Sequence, residues 1–148
     1  MEGAKLAKGE TVLVTAAAGG VGHMAVQWAK LQGCHVVAMT STNKKKEFLK
    51  QLGVDRVINY KDEDLDQVLK QEYPVFITID SIYFSMTFYY QKGIDVIWET
   101  IGSPLFEQLF EHLARKGRLI NIGATSGYKT VGYAPININD FIVKVFID

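Results

Sequence analysis

The segment Ala16-Ala-Ala-Gly-Gly-Val-Gly22 is the part of this chain whose residue types and spacing could do chemistry. Set against a G-x-G-x-x-G pattern, it places Ala17 at the first glycine position, Gly19 at the second and Gly22 at the third. In such a turn the second position stays bare so that backbone N–H groups can approach a pyrophosphate. The third stays small so that the following helix can lie close to the preceding strand. The helix N-terminus adds its free N–H groups and partial positive charge. Gly19 and Gly22 meet both demands, and Ala17 asks only for a less extreme turn. A glycine-rich turn is also how any strand passes tightly into a helix, so its surroundings decide the reading.

The next informative position lies at the end of the second strand. Folds selective for NAD place an Asp or Glu there, about 20 residues beyond the loop, to accept hydrogen bonds from the adenosine ribose. Here the sequence reads Met39-Thr40-Ser41-Thr42, with no acid, and Lys44, Lys45 and Lys46 follow directly. A hydroxyl pair with ammonium groups suits a 2′-phosphate, which points to NADPH over NADH. A lysine triplet on a helix is also an ordinary solvated face.

The elements that must carry these residues alternate without interruption. Strands are expected at Thr11–Thr15, His35–Thr40, Arg56–Asn59, Gly93–Trp98 and Gly117–Ile122. Helices are expected at Gly22–Gln32, Asn43–Gln51, Glu63–Glu72 and Leu105–Ala114. Strands apolar on both faces suit a parallel sheet covered on each side. The fold class is therefore α/β: one Rossmann-type, doubly wound domain over residues 1–148, with the sheet truncated before or at its last strand. The tail Asp140 to Asp148 fits a helical turn or a sixth strand equally well.

Composition narrows the function classes. The chain has 148 residues, 48% of them hydrophobic, enough for one domain with a sizeable core. Lys+Arg and Asp+Glu both number 16, so no net field draws it to nucleic acid or an anionic membrane. A single cysteine, Cys34, and three histidines, His23, His35 and His112, leave too few partners for a zinc site. The first ten residues resemble neither a secretory signal nor a transit peptide, which favours the cytoplasm without excluding a peroxisomal or mitochondrial location.

Five phrases occur in order: AAAGGVG, CHVVAMTS at Cys34–Ser41, LGVDRVINY at Leu52–Tyr60, DVIWETIG at Asp95–Gly102 and LARKGRLINIGATSGY at Leu113–Tyr128. With them the chain resembles the zinc-independent, quinone-oxidoreductase-like branch of the medium-chain dehydrogenase/reductase family, nearest in wording to members of the prostaglandin reductase 3 type. The resemblance runs from about Lys8 to Tyr128 and implies an oxidoreductase that transfers a hydride from NADPH to a quinone or an α,β-unsaturated ketone. It implies that backbone around Gly20 and Val21 holds the pyrophosphate, that Ser41 and Lys45 hold the 2′-phosphate, and that Tyr60 packs at the adenine end. It places Thr100 beside the inner ribose, Ile122 and Gly123 along the nicotinamide, and Tyr128 near the nicotinamide ribose, where it could stabilise a developing enolate. Each has a plainer reading: Tyr60 and Tyr128 as sheet-edge caps, Thr100 as a helix cap near Ser103-Pro104, Ile122 as strand core. His112 shows no recognisable partner.

Two departures stand against the resemblance. Family members carry a GroES-like catalytic domain ahead of the Rossmann unit, return to it at the C-terminus, and pair two copies through the sheet edge. The catalytic domain and the return are absent from these 148 residues. Since the substrate lies between the two domains, a catalytically incomplete NADPH-binding or interaction module is the alternative. The second departure is Val75 to Lys92, VFITIDSIYFSMTFYYQK, which looks like an insertion of about 17 residues. It reads either as an extra hairpin or strand or as a retained intron, since Val codons begin GT and Lys or Gln codons can end AG. A short-chain dehydrogenase is excluded because the Tyr-x-x-x-Lys pair is missing: Gly132 stands four residues after Tyr128, and Asp140 four before Lys144.

Overall fold

The structure, a computed structural model, describes residues 5–75, 93–102 and 104–123. Among these residues five strands alternate with four helices: β1 Thr11–Val14, α1 Gly22–Leu31, β2 His35–Thr40, α2 Asn43–Gln51, β3 Arg56–Asn59, α3 Leu65–Glu72, β4 Ile94–Glu99, α4 Leu105–Phe110 and β5 Leu113–Asn121. The strands form one sheet in the order β3-β2-β1-β4-β5, and every pair is parallel. From β1 the chain builds outward through β2 and β3, then returns beside β1 and builds the other way through β4 and β5. The order reverses between β1 and β4, and ligands of such sheets bind outside the C-terminal strand ends at that reversal.

Strand alternation explains why helices are needed on both sides. Val12, Val14, Val36, Ala38, Val57, Val96 and Trp98 feed one core with Ala25, Val26 and Ala29 of α1 and Leu49 of α2. Leu13, Val37, Met39, Ile58 and Ile97 feed a second with Leu65 and Leu69 of α3 and Leu109 of α4. Fully burying one such aliphatic side chain contributes about 1.5–3 kcal/mol, so both faces must be covered for strands this apolar to be stable.

Local signals set the helix ends. Thr42, in extended conformation, accepts the Lys45 amide at 3.3 Å and opens α2, while Asp64 accepts the Gln67 amide at 3.0 Å and opens α3. Gly33 and Gly53, at φ +76° and +78°, stop α1 and α2 in the left-handed conformation that a terminating glycine adopts without strain.

Several expected boundaries shift. The helix expected from Glu63 starts at Leu65, because Asp64, in extended conformation, caps it by accepting the Gln67 amide at 3.0 Å. The helix expected to run through Ala114 ends at Phe110, and Leu113 and Ala114 instead open β5 as buried strand residues. A bulge hid this: Ile94 pairs with Leu113 but Val96 pairs with Arg118, and within the looped-out residues Lys116 takes φ +62°. Its extra residues break the period-two pattern by which a strand is read. Residues 76–92 and 124–148, including Tyr128 and the expected loop and tail, lie outside the described residues. The flanks of the first stretch meet: a Cβ on Gly93 would stand 2.5 Å from Val75 Cγ2. Among the described residues no helix is long and apolar enough to cross a membrane.

Candidate functional site

The described residues assigned to cofactor binding in the sequence lie at the C-terminal edge of the sheet. The loop from Ala16 to Val21 follows β1. Its left-handed residue is Ala16, at φ +44°, and not Ala17, where the fingerprint would put its first glycine. Ala17 is buried and ties the loop to β2 through its amide, 3.0 Å from the Met39 carbonyl. Gly22, the first residue of α1, leaves no room for a side chain: a Cβ there would lie 2.4 Å from the Ala16 carbonyl oxygen and 2.7 Å from Ala17 Cα. The Gly19 amide is spent within the turn on Ala16 O at 2.8 Å, and its carbonyl accepts the His23 amide at 3.0 Å.

Beyond Gly19, the N–H groups of Gly20, Val21 and Gly22 find no acceptor among the described residues, and Val21 supplies no side-chain cap. The first turn of α1 also contains no acid. An uncapped helix N-terminus without local negative charge is an anion site in geometry and electrostatics alike. A Cβ on Gly20 would meet nothing within 4 Å, so this face of the loop is open.

On one side of the loop lie the ends of β2 and β3. Ser41 is half-buried just past β2, Lys45 is exposed in the first turn of α2, and Tyr60 is 46% exposed just past β3 with its amide on Thr40 O at 3.1 Å. The lysine triplet divides. Lys46 is committed to Glu63 Oε1 at 3.3 Å, whereas Lys44 and Lys45 have no ionic partner among the described residues. Thr40 Oγ1, beside Ser41, is buried and has no hydrogen-bond partner among the described residues, an unusual state for a hydroxyl.

On the other side lie the ends of β4 and β5. Thr100 is buried; its amide donates to Thr15 Oγ1 at 2.9 Å, and the two hydroxyls are 3.4 Å apart. The Ile122 amide donates to Glu99 O at 2.8 Å, and a Cβ on Gly123 would come within 3.7 Å of Thr100 O. Thr100, Ile122 and Gly123 are thus brought together.

Sequence reasoning missed Glu99 and Thr15. Glu99 is 0% exposed. Its Oε1 accepts the amides of Ile101 at 2.6 Å and Gly102 at 3.1 Å and the Thr15 hydroxyl at 3.4 Å; its Oε2 accepts the Gly102 amide at 3.0 Å. Burial pushes the carboxyl up from its ordinary value, while the amide donors of Ile101 and Gly102 pull it back. The available signal was an acid closing a strand that is otherwise a near-continuous apolar run, Ile94 to Glu99.

The metal-binding side chains do not converge. Cys34 is buried with its thiol directed at Ala7 O, His23 sits against Gly19 O, His35 against Tyr73, and His112 against Asp66 Oδ1 at 3.0 Å. His112, which showed no partner in the sequence, therefore has one across the α3 contact. No group of three or more His, Cys, Asp or Glu among the described residues could hold a metal ion.

The profile of the zinc-binding dehydrogenase family matches residues 20–145. The chain belongs to that family. It is 44% identical to prostaglandin reductase-3 of Mus musculus over 89% of this chain and 31% of the relative, and 39% identical to a probable quinone oxidoreductase of Leishmania amazonensis over 90% and 34%. The solved quinone oxidoreductase of Escherichia coli, complexed with NADPH, superposes with a TM-score of 0.66 at 30% identity over 82% of this chain and 32% of that one. The chain spans about a third of the length of the curated relatives it matches. Membership in this zinc-binding dehydrogenase family agrees with the α/β architecture and sheet order described above. The family's name implies zinc, but the dispersed cysteine and histidines do not form a site for it.

Proposed function

We propose that this chain binds NADPH and forms the nucleotide half of a reductase acting on quinones or α,β-unsaturated ketones. The observation that carries this reading is the uncapped start of α1 at the point of strand-order reversal, where the amides of Gly20, Val21 and Gly22 find no acceptor among the described residues. The names of the relatives, a prostaglandin reductase and a quinone oxidoreductase, and the NADPH held by the Escherichia coli protein support the chemistry.

In this reading the amides of Gly20, Val21 and Gly22 bind the pyrophosphate. Ser41 and Lys45 hold the 2′-phosphate, with the unpaired Thr40 hydroxyl beside them, and Tyr60 packs at the adenine end. Absence of an acid after β2 removes the repulsion that would reject that phosphate. Thr100 orients the inner ribose, and backbone at Ile122 and Gly123 lines the nicotinamide. When bound, the cofactor supplies a hydride to the β-carbon of the enone or to the quinone. Tyr128, outside the described residues, stabilises the negative charge that develops on the substrate oxygen.

A calorimetric titration of the chain with NADPH and with NADH tests the reading, followed by a turnover assay with a small enone. Saturable binding that prefers NADPH is expected. A folded chain that binds neither nucleotide would overturn it; binding without turnover is what a nucleotide half gives alone, and turnover would show that the chain carries a substrate site of its own.

A further inference from the structure

Thr100 and Ile122 are both held through one residue that is itself fully buried, Glu99. Glu99 reaches the turn after β4 through its side chain, the exit of β5 through its carbonyl, and the end of β1 through Thr15. Thr15 completes the clamp by accepting the Thr100 amide. Among the described residues Glu99 makes no hydrogen bond to β2 or β3, the strands after which Ser41, Lys45 and Tyr60 stand. A dinucleotide that crosses the reversal point lays its adenosine ribose over the end of β2, so its other half must lie over β4 and β5.

We propose that Glu99 is a positioning residue for the nicotinamide half of the cofactor: its buried carboxylate fixes the turn from Thr100 to Gly102 and its attachment to β1, without touching the ligand. The inference rests on the NADPH reading above. Two acceptor oxygens are required, because both face backbone amides. Glutamine keeps the volume but turns one acceptor into an N–H₂ donor pointed at a donor, leaving buried groups unpaired. The turn then samples other conformations, and a ligand that needs the native one binds more weakly by the fraction lost.

The test compares the full chain with Glu99→Gln and Thr15→Val, titrating each by calorimetry with NADPH and with adenosine 2′,5′-bisphosphate, which carries the adenosine half alone. Circular dichroism checks folding. NADPH binding is expected to weaken about tenfold or more in Glu99→Gln, while the bisphosphate changes less than about twofold. Should Glu99→Gln fail to fold, Thr15→Val, which breaks the same clamp from β1, decides by the same ratio. Equal loss of both ligands would reduce Glu99 to general structure, and unchanged NADPH binding would leave it no role; either overturns the inference. A wild-type chain that binds neither ligand overturns the NADPH reading instead.

Discussion

Gly22 and Ala16 are in contact so close that a Cβ on Gly22 would stand 2.4 Å from the Ala16 carbonyl oxygen. Backbone on both sides of that contact cannot yield as a flexible side chain would. Gly22→Ala should therefore shift α1 away from the loop and destabilise the fold by about 1–3 kcal/mol. Urea unfolding checks the stability, and a calorimetric titration checks the expected loss of NADPH binding. Gly20→Ala is the contrast. Its Cβ enters open space, so the fold should be unchanged or gain up to about 1 kcal/mol, and any effect falls on the ligand alone.

Lys45 and Lys46 sit next to each other but are not equivalent, since only Lys46 is paired with Glu63. Lys45→Ala should lower NADPH affinity about tenfold and leave NADH affinity nearly unchanged, the pattern expected for loss of one charge-assisted contact to a phosphate. Lys46→Ala should cost stability more than selectivity. Parallel titrations of both variants with the two nucleotides separate these outcomes.

Arg56 donates to both Glu63 and Glu72, and this guanidinium is the main reason Glu63 is held down to about 2 from 4.5. A depressed carboxylate contributes stability that is fully present above its unfolded value and is lost as pH falls through its folded value. The window here runs from about pH 4.5 down to about 2. After allowance for solvent screening, the contribution is on the order of 1–2 kcal/mol. Wild type should exceed Glu63→Gln in stability by that amount at pH 7, and the gap should close toward pH 2, as followed by urea unfolding across the series.

Val75 and Gly93 meet although 17 residues, 76–92, separate them in the chain. Replacing those residues by a two-glycine link should leave a chain that unfolds cooperatively, because the change in loop-closure entropy is only about 2 kcal/mol and favours the shorter loop. NADPH binding should be kept within about twofold. A shortened chain without a cooperative thermal transition would show that the core depends on the segment.

The α/β fold class was legible because β1, β2 and β4 are buried on both faces and so spell themselves as apolar runs divided by helical periods. The glycine loop was legible for a related reason: its residues answer local steric demands. Glu99 was not, because nothing local distinguishes an acid that ends a strand in solvent from one that turns inward to bind Ile101 and Gly102. That choice depends on Thr15, 84 positions away in the chain. The start of β5 was hidden by the bulge at Lys116, and the Asp66 partner of His112 by the 46 positions between them.

Hydrophobic alternation does little to align β4 with its neighbours, since a strand slipped by one place would still lay oil against oil on each face. Its alignment comes from two acids instead. Asp95, near its beginning, accepts the Thr11 amide at 2.9 Å, and Glu99, at its end, accepts the Thr15 hydroxyl at 3.4 Å. Both partners bracket β1, so the two carboxylates act like the pins of a plug whose spacing admits one seating. An aliphatic residue in place of either would leave an equally greasy sheet that no longer knows where to stop.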